Sequence, residues 1–274
     1  NINYKTKGIL TINILGNPCE YEKILKISKK YKLILVEDNC ESLGAIYNKK
    51  KCGSFGLWSS LSSYYSHHIS TIEGGFFLTD NKKLFSIAKS IRSHGWIRGQ
   101  ENNKIFKVKR FSNEKRKFLF YYPGYNLRST ELNAAVGLEQ FKKINMFVRK
   151  RRKNYKELKK IISKYRKITI QKECKFSSWF GFGFTFYTTK KKMKKILEIF
   201  KKNKIETRPI VTGDFTSQPV MKYYSKNDVK YKLPNCSYIN DFGIMIGNSH
   251  INLTLKQKEN LIITFKSIDR IIEK

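Results

Sequence analysis

Two acidic residues follow a short apolar run, at a point where α/β proteins place ligands. The run covers residues 33–36, and its continuous apolar pattern predicts a buried parallel strand. Glu37 and Asp38 come next, at the carboxyl end of that strand, where open α/β sheets bind their ligands. An acidic side chain there is a candidate site residue. Alternatively it caps the following helix, and the run alone does not decide between the two.

A second segment, residues 62–75, combines hydroxyl side chains with two adjacent histidines, His67 and His68, and a pair of glycines. Adjacent side chains on an extended backbone point to opposite faces, so the two imidazoles are poorly placed to share a metal ion. Either one imidazole faces a cleft, or both are hydrogen-bonded within a loop. In the first case, a pKa of about 6.5 suits proton transfer near neutral pH.

A third segment places an amide and a guanidinium directly before a predicted helix. These groups belong to Asn126 and Arg128, and Ser129 or Thr130 would cap the helix. The free backbone amides at a helix N-terminus favour anions. The segment therefore indicates either a phosphate site or a well-capped helix.

The elements that must position these segments alternate along the first half of the chain. The predicted elements are strand 9–15, helix 19–30, strand 33–36, strands 58–65 and 76–79, helix 81–93, helix 130–140 and a Lys-rich helical stretch to about residue 165. Alternating strands and helices predict an α/β sheet protein. Between residues 94 and 122 the periodicity is absent, which predicts a long surface loop of a kind that is often functional.

The second half of the chain follows a different order. A strand is predicted over 178–187, a helix over 190–203 and a further strand near Ile205. The chain closes with an amphipathic helix, whose predicted buried face consists of Leu261, Ile262, Phe265, Ile268 and Ile272. This order predicts a smaller α+β domain after the larger one.

Composition restricts the class of protein. The chain has 274 residues, of which 40% are hydrophobic and 14% aromatic, so it has enough apolar side chains to form a packed core. No apolar run approaches the roughly 18 to 20 residues that span a bilayer, and the first residues lack an apolar signal core. We expect a soluble, cytoplasmic protein. The five cysteines are widely spread without C-x-x-C pairs, which indicates neither a disulfide framework nor a zinc module.

The formal net charge of +35 raises the question of a nucleic-acid partner, because clustered Lys and Arg bind phosphates. Here the lysines are scattered over predicted helix faces, as at 190–192 and 201–202. Scattered charge on helices is typical of a solvated surface. We therefore do not expect nucleic acid to be the main partner.

Taken together, the segments resemble the DegT-type family of sugar-nucleotide aminotransferases and dehydratases, which have the fold-type I pyridoxal-phosphate architecture. The similar segments, in chain order, are 13–18, 37–44, 53–56, 62–75, 124–138, 178–182 and 206–220. Seven segments in the same order as in the family are a more specific match than any single motif. The resemblance implies a three-layer α/β cofactor-binding domain over residues 1–145 and a smaller C-terminal α+β domain over 146–274.

The resemblance also implies that the large domain is truncated at its N-terminus. Family members have a long segment before the point that matches Asn1, and it supplies a Gly-Thr/Ser phosphate turn and an aromatic residue that stacks on the cofactor. We therefore expect the chain to be a fragment.

Family roles carry over to individual residues. The resemblance assigns Asp38 to the ring nitrogen of pyridoxal 5′-phosphate, Ser62 to its phosphate, and Glu41 to the same cofactor site. Asn126 would reach a phosphate across a dimer interface, which implies a homodimer with shared active sites. The side chains expected to contact the substrate are those of Arg128, His68, Glu73 and Arg208.

His67 occupies the position of the lysine that forms a Schiff base with the cofactor in most members, and an imidazole cannot form that bond. The subgroup with this replacement comprises sugar 3-dehydratases that use pyridoxamine 5′-phosphate and the histidine as base. Residues 13–18, 37–40 and 178–181 resemble this subgroup most. The favoured function is therefore 3-dehydration of a nucleotide-linked 4-keto-6-deoxyhexose, in the biosynthesis of deoxysugars for lipopolysaccharide O-antigen.

Two alternatives remain open. The first is a sugar-nucleotide aminotransferase of the same family, and the second is a catalytically incomplete fragment or a basic nucleic-acid-binding protein. Some relatives in the subgroup hold an iron–sulfur cluster through a cysteine equivalent to Cys40 and three more beyond the histidine. Because the chain has no cysteine between Cys52 and Cys174, we expect no cluster.

Overall fold

The computed structural model describes residues 2–100, 104–109, 111–224 and 233–273. The chain forms two compact units. The first contains the residues up to Asn145 together with Cys174–Ser177, and the second contains Met146–Glu173 and the residues from Ser178 onward. The assignment of residues 1–145 to cofactor binding, and of 146–274 to a small C-terminal domain, stays a prediction.

The first unit is built on a four-stranded sheet with a separate two-stranded hairpin. Its strands are β1 (Gly8–Ile12), β2 (Ile34–Asp38), β3 (Ile46–Tyr47), β4 (Lys50–Lys51), β5 (Trp58–Ser62) and β6 (Gly75–Leu78). The sheet order is β1-β2-β5-β6, in which β1, β2 and β5 run parallel and β6 is antiparallel to β5. Asp38 is opposite Ser60, so the carboxyl ends of β2 and β5 lie at the same edge of the sheet.

The helices described in the first unit are α1 (Tyr21–Tyr31), α2 (Lys82–Ile91), α3 (Asn113–Arg116) and α4 (Glu131–Phe141), with a 3₁₀ turn at Ile14–Gly16. Three of these four helices, α2, α3 and α4, begin at a side-chain cap, whereas α1 has none. Of the two caps predicted for α4, the structure has Thr130. Its hydroxyl accepts from Asn133 N and the Asn133 side chain accepts from Thr130 N, which forms a capping box. The α/β prediction for this unit is confirmed.

Apolar side chains are exposed along one edge strand and one helix of the first unit. All four residues of β6 are exposed, and α4 buries none of its residues although Leu132, Leu138 and Phe141 are apolar. A cavity of about 360 Å³ lies between them and is lined mostly by apolar groups, including Ile69.

The segment between residues 94 and 122 has more structure than the sequence predicts. Ile97, Phe106 and Val108 form a small core of their own. An isolated antiparallel bridge joins Trp96 to Phe120. The segment is largely loop, as predicted, but the sequence does not indicate its core or its bridge, because the paired stretches are too short to give a periodic pattern.

The second unit contains a four-stranded antiparallel sheet in the order β7-β8-β10-β9. Its strands are β7 (Ile168–Ile170), β8 (Gly181–Phe186), β9 (Thr207–Arg208) and β10 (Gly243–Gly247). The remaining helices are α5 (Ile144–Ile162), α6 (Lys190–Lys202), α7 (Pro234–Phe242) and α8 (Leu255–Glu273), with 3₁₀ turns at Phe215–Ser217 and Pro219–Tyr223. One hydrophobic core, which includes Trp179, Phe184 and Phe265, holds them together.

The closing helix α8 buries most of its predicted face. Its apolar residues Leu261, Phe265, Ile268 and Ile272 are buried as predicted. Ile262 is 43% exposed, so the prediction that it is buried was wrong. Thr264, which was not predicted to be buried, is buried. One residue after Leu261 lies about 100° around the helix, so Ile262 turns away from the core.

None of the helices within the described ranges combines the length and the apolar character that crossing a bilayer requires.

Candidate active site

Glu37 is a structural residue. Its carboxylate is fully buried and accepts hydrogen bonds from the Tyr21 hydroxyl (2.8 Å) and from the backbone N–H groups of Gly53 (2.7 Å), Phe55 (2.5 Å) and Gly56 (2.7 Å). A carboxylate with four donors is well satisfied without a ligand. Glu37 therefore fixes the turn 53–56 to the end of β2.

Asp38 lies on the other side of β2, because side chains alternate along a strand. It is half-buried, and its Oδ1 accepts from the backbone N–H of Cys40 at 2.9 Å. The Cys40 thiol lies close by. Burial, followed by its hydrogen bond to Asp38, raises the pKa of this thiol to about 11, so the thiol stays protonated near neutral pH. The carboxylate of Asp38 is therefore an acidic group at the carboxyl edge of the sheet.

His67 lies in the loop after β5, beside the end of that strand. Its Nδ1 is 3.1 Å from Ser62 Oγ, and its backbone N–H donates to Tyr64 O at 2.9 Å. Burial lowers the pKa of the imidazole, and the negative charge of Asp38 opposes this shift. His67 is therefore neutral near neutral pH. The structure brings Asp38, Ser62 and His67 together at one edge of the sheet.

The loop that carries His67 is held by hydroxyl contacts. Ser63 Oγ and Thr71 Oγ1 are 2.6 Å apart, and Asn133 Nδ2 of α4 donates to Thr71 O at 2.6 Å. Gly74 has φ +157°, and a Cβ there would lie 2.4 Å from Thr71 Oγ1, so only glycine fits. These contacts fix the return from β5 to β6 and with it the position of the imidazole.

Glu41 contacts the backbone of a neighbouring turn. Its Oε2 accepts from Leu15 N at 2.7 Å, and burial raises the pKa of the carboxyl group. Leu15 has the left-handed φ of 54°, so this bond supports a strained turn. A contact of Glu41 with the cofactor stays a prediction.

The residues predicted to contact the substrate have different surroundings. His68 is buried, which does not favour direct contact with a substrate, whereas the Glu73 side chain is exposed. Asn126 and Arg128 are exposed in the irregular stretch before α4, where Asn126 forms an isolated bridge with Ser93.

Arg208 belongs to the second unit. Its Nη2 and Nε lie 2.9 and 3.0 Å from Glu206 Oε1, and both side chains are largely exposed. Across the described residues of both units, no cluster of three or more His, Cys, Asp or Glu side chains could hold a metal ion.

Comparison with known proteins identifies the family. The sequence profile of the DegT/DnrJ/EryC1/StrS aminotransferase family matches residues 1–263 of the chain. The chain belongs to this family. The resemblance inferred from the sequence motifs is thereby confirmed.

Relatives within the DegT/DnrJ/EryC1/StrS family include 3-dehydratases. The chain is 40% identical over 272 residues to the GDP-4-keto-6-deoxy-D-mannose 3-dehydratase of Yersinia pseudotuberculosis, covering 97% of this chain and 68% of that protein. It is 41% identical over 251 residues to the enzyme of the same name from Escherichia coli O55:H7, covering 90% of this chain and 64% of that protein. The chain thus spans about two thirds of the length of these relatives.

A solved structure supports the fold-type assignment. The E. coli GDP-4-keto-6-deoxy-D-mannose 3-dehydratase with bound hydrated pyridoxal phosphate superposes with a TM-score of 0.86 at 36% identity, covering 99% of this chain and 68% of that one. The fold is therefore that of pyridoxal-phosphate-dependent members of the DegT/DnrJ/EryC1/StrS family.

Sequence reasoning missed two residues that shape the site. Tyr64 packs its ring edge against His67, with ring centroids 5.9 Å apart, and its backbone N–H donates to Ser62 Oγ. Asn133 orders the loop from α4. Its place three residues after Thr130 is a capping-box signal, although the sequence does not indicate that its amide also reaches Thr71.

Proposed function

We propose that the protein removes the 3-hydroxyl of a nucleotide-linked 4-keto-6-deoxyhexose, with a pyridoxal-type cofactor and with His67 as base. The observation that carries this proposal is the neutral imidazole of His67 beside Asp38 and Ser62, in the position where a lysine would otherwise bond to the cofactor. Relatives at about 40% identity are named as 3-dehydratases of GDP-4-keto-6-deoxy-D-mannose.

The residues at this edge of the sheet fit the cofactor in chemical type. A carboxylate such as that of Asp38 can keep a pyridine nitrogen protonated, and hydroxyl groups such as that of Ser62 bind phosphate. Glu41 would contact the cofactor from its position beside the neighbouring turn at Leu15. When bound, the cofactor would supply an electron sink that eases loss of a proton and of a hydroxyl group.

His67 would take up and return the proton. Because burial keeps the ring neutral, one ring nitrogen is free to accept a proton. When Nδ1 donates to Ser62 Oγ, Nε2 is that acceptor. Asp38 then stabilises the imidazolium that forms, because its negative charge raises the pKa of His67. Transfer of an amino group through a lysine at this position is not expected.

Other groups would recognise the substrate and complete the site. We assign Arg128, Glu73 and Arg208 to the phosphates and hydroxyls of the nucleotide sugar, and His68 to a supporting role inside the loop. Asn126 would reach the phosphate in the site of a second copy, so the proposed assembly is a homodimer. Because nucleotide sugars are made in the cytoplasm, the proposal also places the protein there.

The test is the product formed from GDP-4-keto-6-deoxymannose with pyridoxamine phosphate. We expect a product without the 3-hydroxyl, detected by mass spectrometry, and no product from His67→Asn although that variant still binds the cofactor. His94→Asn is the control, because His94 is exposed outside the site. An amino sugar as the main product would contradict the proposal in favour of transamination.

The shared site has its own test. If Asn126 serves the partner's site, mixing inactive His67→Asn with inactive Asn126→Ala should restore activity through mixed dimers. No recovery after subunit exchange would contradict the sharing of Asn126.

A further inference from the structure

An aromatic surface of the first unit contains none of the residues assigned above. Trp96 and Phe120 are bridge partners, and Ile97 N donates to Leu119 O at 3.2 Å. Side chains alternate along such paired stretches, so Ile97 and Leu119 point into the small core of this segment. The residues that alternate with Ile97 and Leu119 point away from this core. We call them the aromatic face: Trp96, Arg98, Phe118 and Phe120.

The rings of the aromatic face are close to parallel. Trp96 stacks with Phe118 at 5.5 Å and 20°, and with Phe120 at 6.0 Å and 24°. Its Nε1 donates to Lys117 O at 2.9 Å, and the guanidinium of Arg98 lies 5.1 Å from the centre of its ring. Phe118 is 73% exposed and Phe120 is 56% exposed. The result is a group of near-parallel stacked rings, partly open to solvent, with a cation beside it.

The segment holds this surface in a fixed shape. Arg116 Nε donates to Val108 O at 3.1 Å and to Phe111 O at 2.8 Å, and its Nη2 donates to Lys109 O at 3.2 Å. These bonds tie together the backbone behind the rings. A preorganised surface loses little entropy when a ligand binds, and a contiguous exposed apolar patch marks a binding site.

The charge around the aromatic face favours an anionic ligand. Residues 92–117 contain nine Lys and Arg against two Glu. Stacked rings beside cations match a planar base linked to phosphates, since bases stack on aromatic side chains and on guanidinium planes. A nucleotide combines both chemistries in one small molecule.

We propose that the aromatic face binds the nucleobase of a nucleoside diphosphate, and that Arg98 and the neighbouring lysines attract its phosphates. This inference rests on the proposed function in its choice of ligand, because the substrate proposed there is linked to a nucleotide. It assigns nucleotide recognition to residues that lie outside the group Asp38, Ser62 and His67.

Calorimetric titration of the protein with GDP, without cofactor or sugar, tests the proposal. We expect the double variant Phe118→Ala/Phe120→Ala to bind GDP about tenfold or more weakly, because it loses the stacking rings. The double Tyr variant at the same positions should keep the affinity. The control is Phe85→Ala, which removes a ring of the same 56% exposure from α2 and should change nothing.

Two further measurements sharpen the test. GDP should quench tryptophan fluorescence, and Trp96→Phe should abolish most of this quenching while it keeps the affinity, since a ring remains in place. Pyrophosphate should bind clearly more weakly than GDP, because it has no base to stack.

Other results would overturn the inference. Equal affinity for pyrophosphate and GDP would mean that the cations alone recognise the ligand. A double Ala variant with unchanged GDP affinity but an altered sedimentation coefficient would make the aromatic face a contact between copies. Since no step measures turnover, normal GDP binding without dehydration would count against the proposed function and not against this inference.

Discussion

Glu37 and Asp38 carry the same charge on adjacent positions of β2, but their side chains have different surroundings. Glu37 is fully buried with four donors, whereas Asp38 is half-buried and acts on His67. Glu37, whose hydrogen-bond donors all come from within the chain, is therefore structural. Asp38, at the edge of the sheet, can still interact with a ligand.

The first prediction concerns the titration of His67. Because burial lowers its pKa, we expect an NMR midpoint below about 6.5 for this ring. Asp38→Asn removes the charge that raises this pKa, so the midpoint should fall further. Glu73→Gln is the control and should leave it unchanged. A midpoint that rises in Asp38→Asn would contradict the arrangement.

The sign of the linked pH effects follows from the same shift. The folded protein holds the ring neutral, whereas the unfolded chain protonates it near its ordinary pKa of about 6.5. The stability contributed by His67 is therefore complete above that pH and is lost as the pH falls toward the lower folded pKa. Activity that needs the neutral base should decline at still lower pH, as the pH falls through the lowered pKa of the folded protein.

A lysine at position 67 tests whether the side chain points at the cofactor. An amine condenses with the aldehyde of pyridoxal phosphate and an imidazole does not, so His67→Lys should gain a visible absorption band that borohydride changes. We also expect this variant to lose dehydration. His94→Lys adds a lysine elsewhere and is the control. Peptide mapping locates the lysine to which borohydride has fixed the cofactor, which we call the label. Bound cofactor without label at position 67 would mean that the residue is misplaced in the site.

At the scale of elements, the end of β2 depends on Glu37. Glu37→Gln replaces one acceptor oxygen by a donor that faces backbone N–H groups, so we expect a loss of about 2–4 kcal/mol in the free energy of unfolding. Glu22→Gln, an exposed change on α1, should cost under about 0.5 kcal/mol. Urea unfolding measures both. Equal costs for the two variants would show that the buried hydrogen bonds contribute little.

Arg151 has a comparable role in the second unit. Its buried guanidinium donates to the carbonyl oxygens of Phe180 (3.1 Å) and Asn248, and burial lowers its pKa to about 10, which leaves it charged at neutral pH. Arg151→Met should cost about 2–4 kcal/mol, because these carbonyls lose their donor. Arg149→Met, exposed on the same helix, is the control. A cost no larger than that of the control would contradict this role.

The strength of the local pattern decided which elements could be predicted. The continuous apolar run gave β2, and helical spacing gave α1, α2 and most of the buried face of α8. The strands β7 and β10 and the helix α7 were not predicted, because three to nine residues show too little periodicity. The bridge between Trp96 and Phe120 joins residues far apart in the sequence, and no local pattern predicts such a pairing.

The candidate site shows a similar division. Sequence motifs and family resemblance named Asp38, Ser62 and His67, but not that Ser62 Oγ would lie beside His67 Nδ1. That contact depends on the shape of the loop, which Ser63 and Thr71 within the same segment fix together with Asn133 from α4.

At the scale of the whole molecule, the dominant property is charge. The chain has 56 Lys and Arg against 21 Asp and Glu, and the ion pairs among the described residues, such as Lys190 with Asp241, are mostly exposed. Exposed pairs contribute little, and an excess of one sign destabilises a compact state through repulsion. The scattered lysines should thus affect stability more than specific binding.

The last prediction follows from this excess of charge. Raising KCl from about 10 to 300 mM shortens the Debye length from about 30 to about 6 Å, which screens the repulsion between lysines on neighbouring surfaces. We therefore expect the thermal midpoint to rise by several degrees over this range. Potassium glutamate at equal ionic strength separates screening from specific anion binding, since screening alone gives the same rise in both salts. A midpoint that stays constant or falls would mean that local pairs already neutralise the net charge of +35.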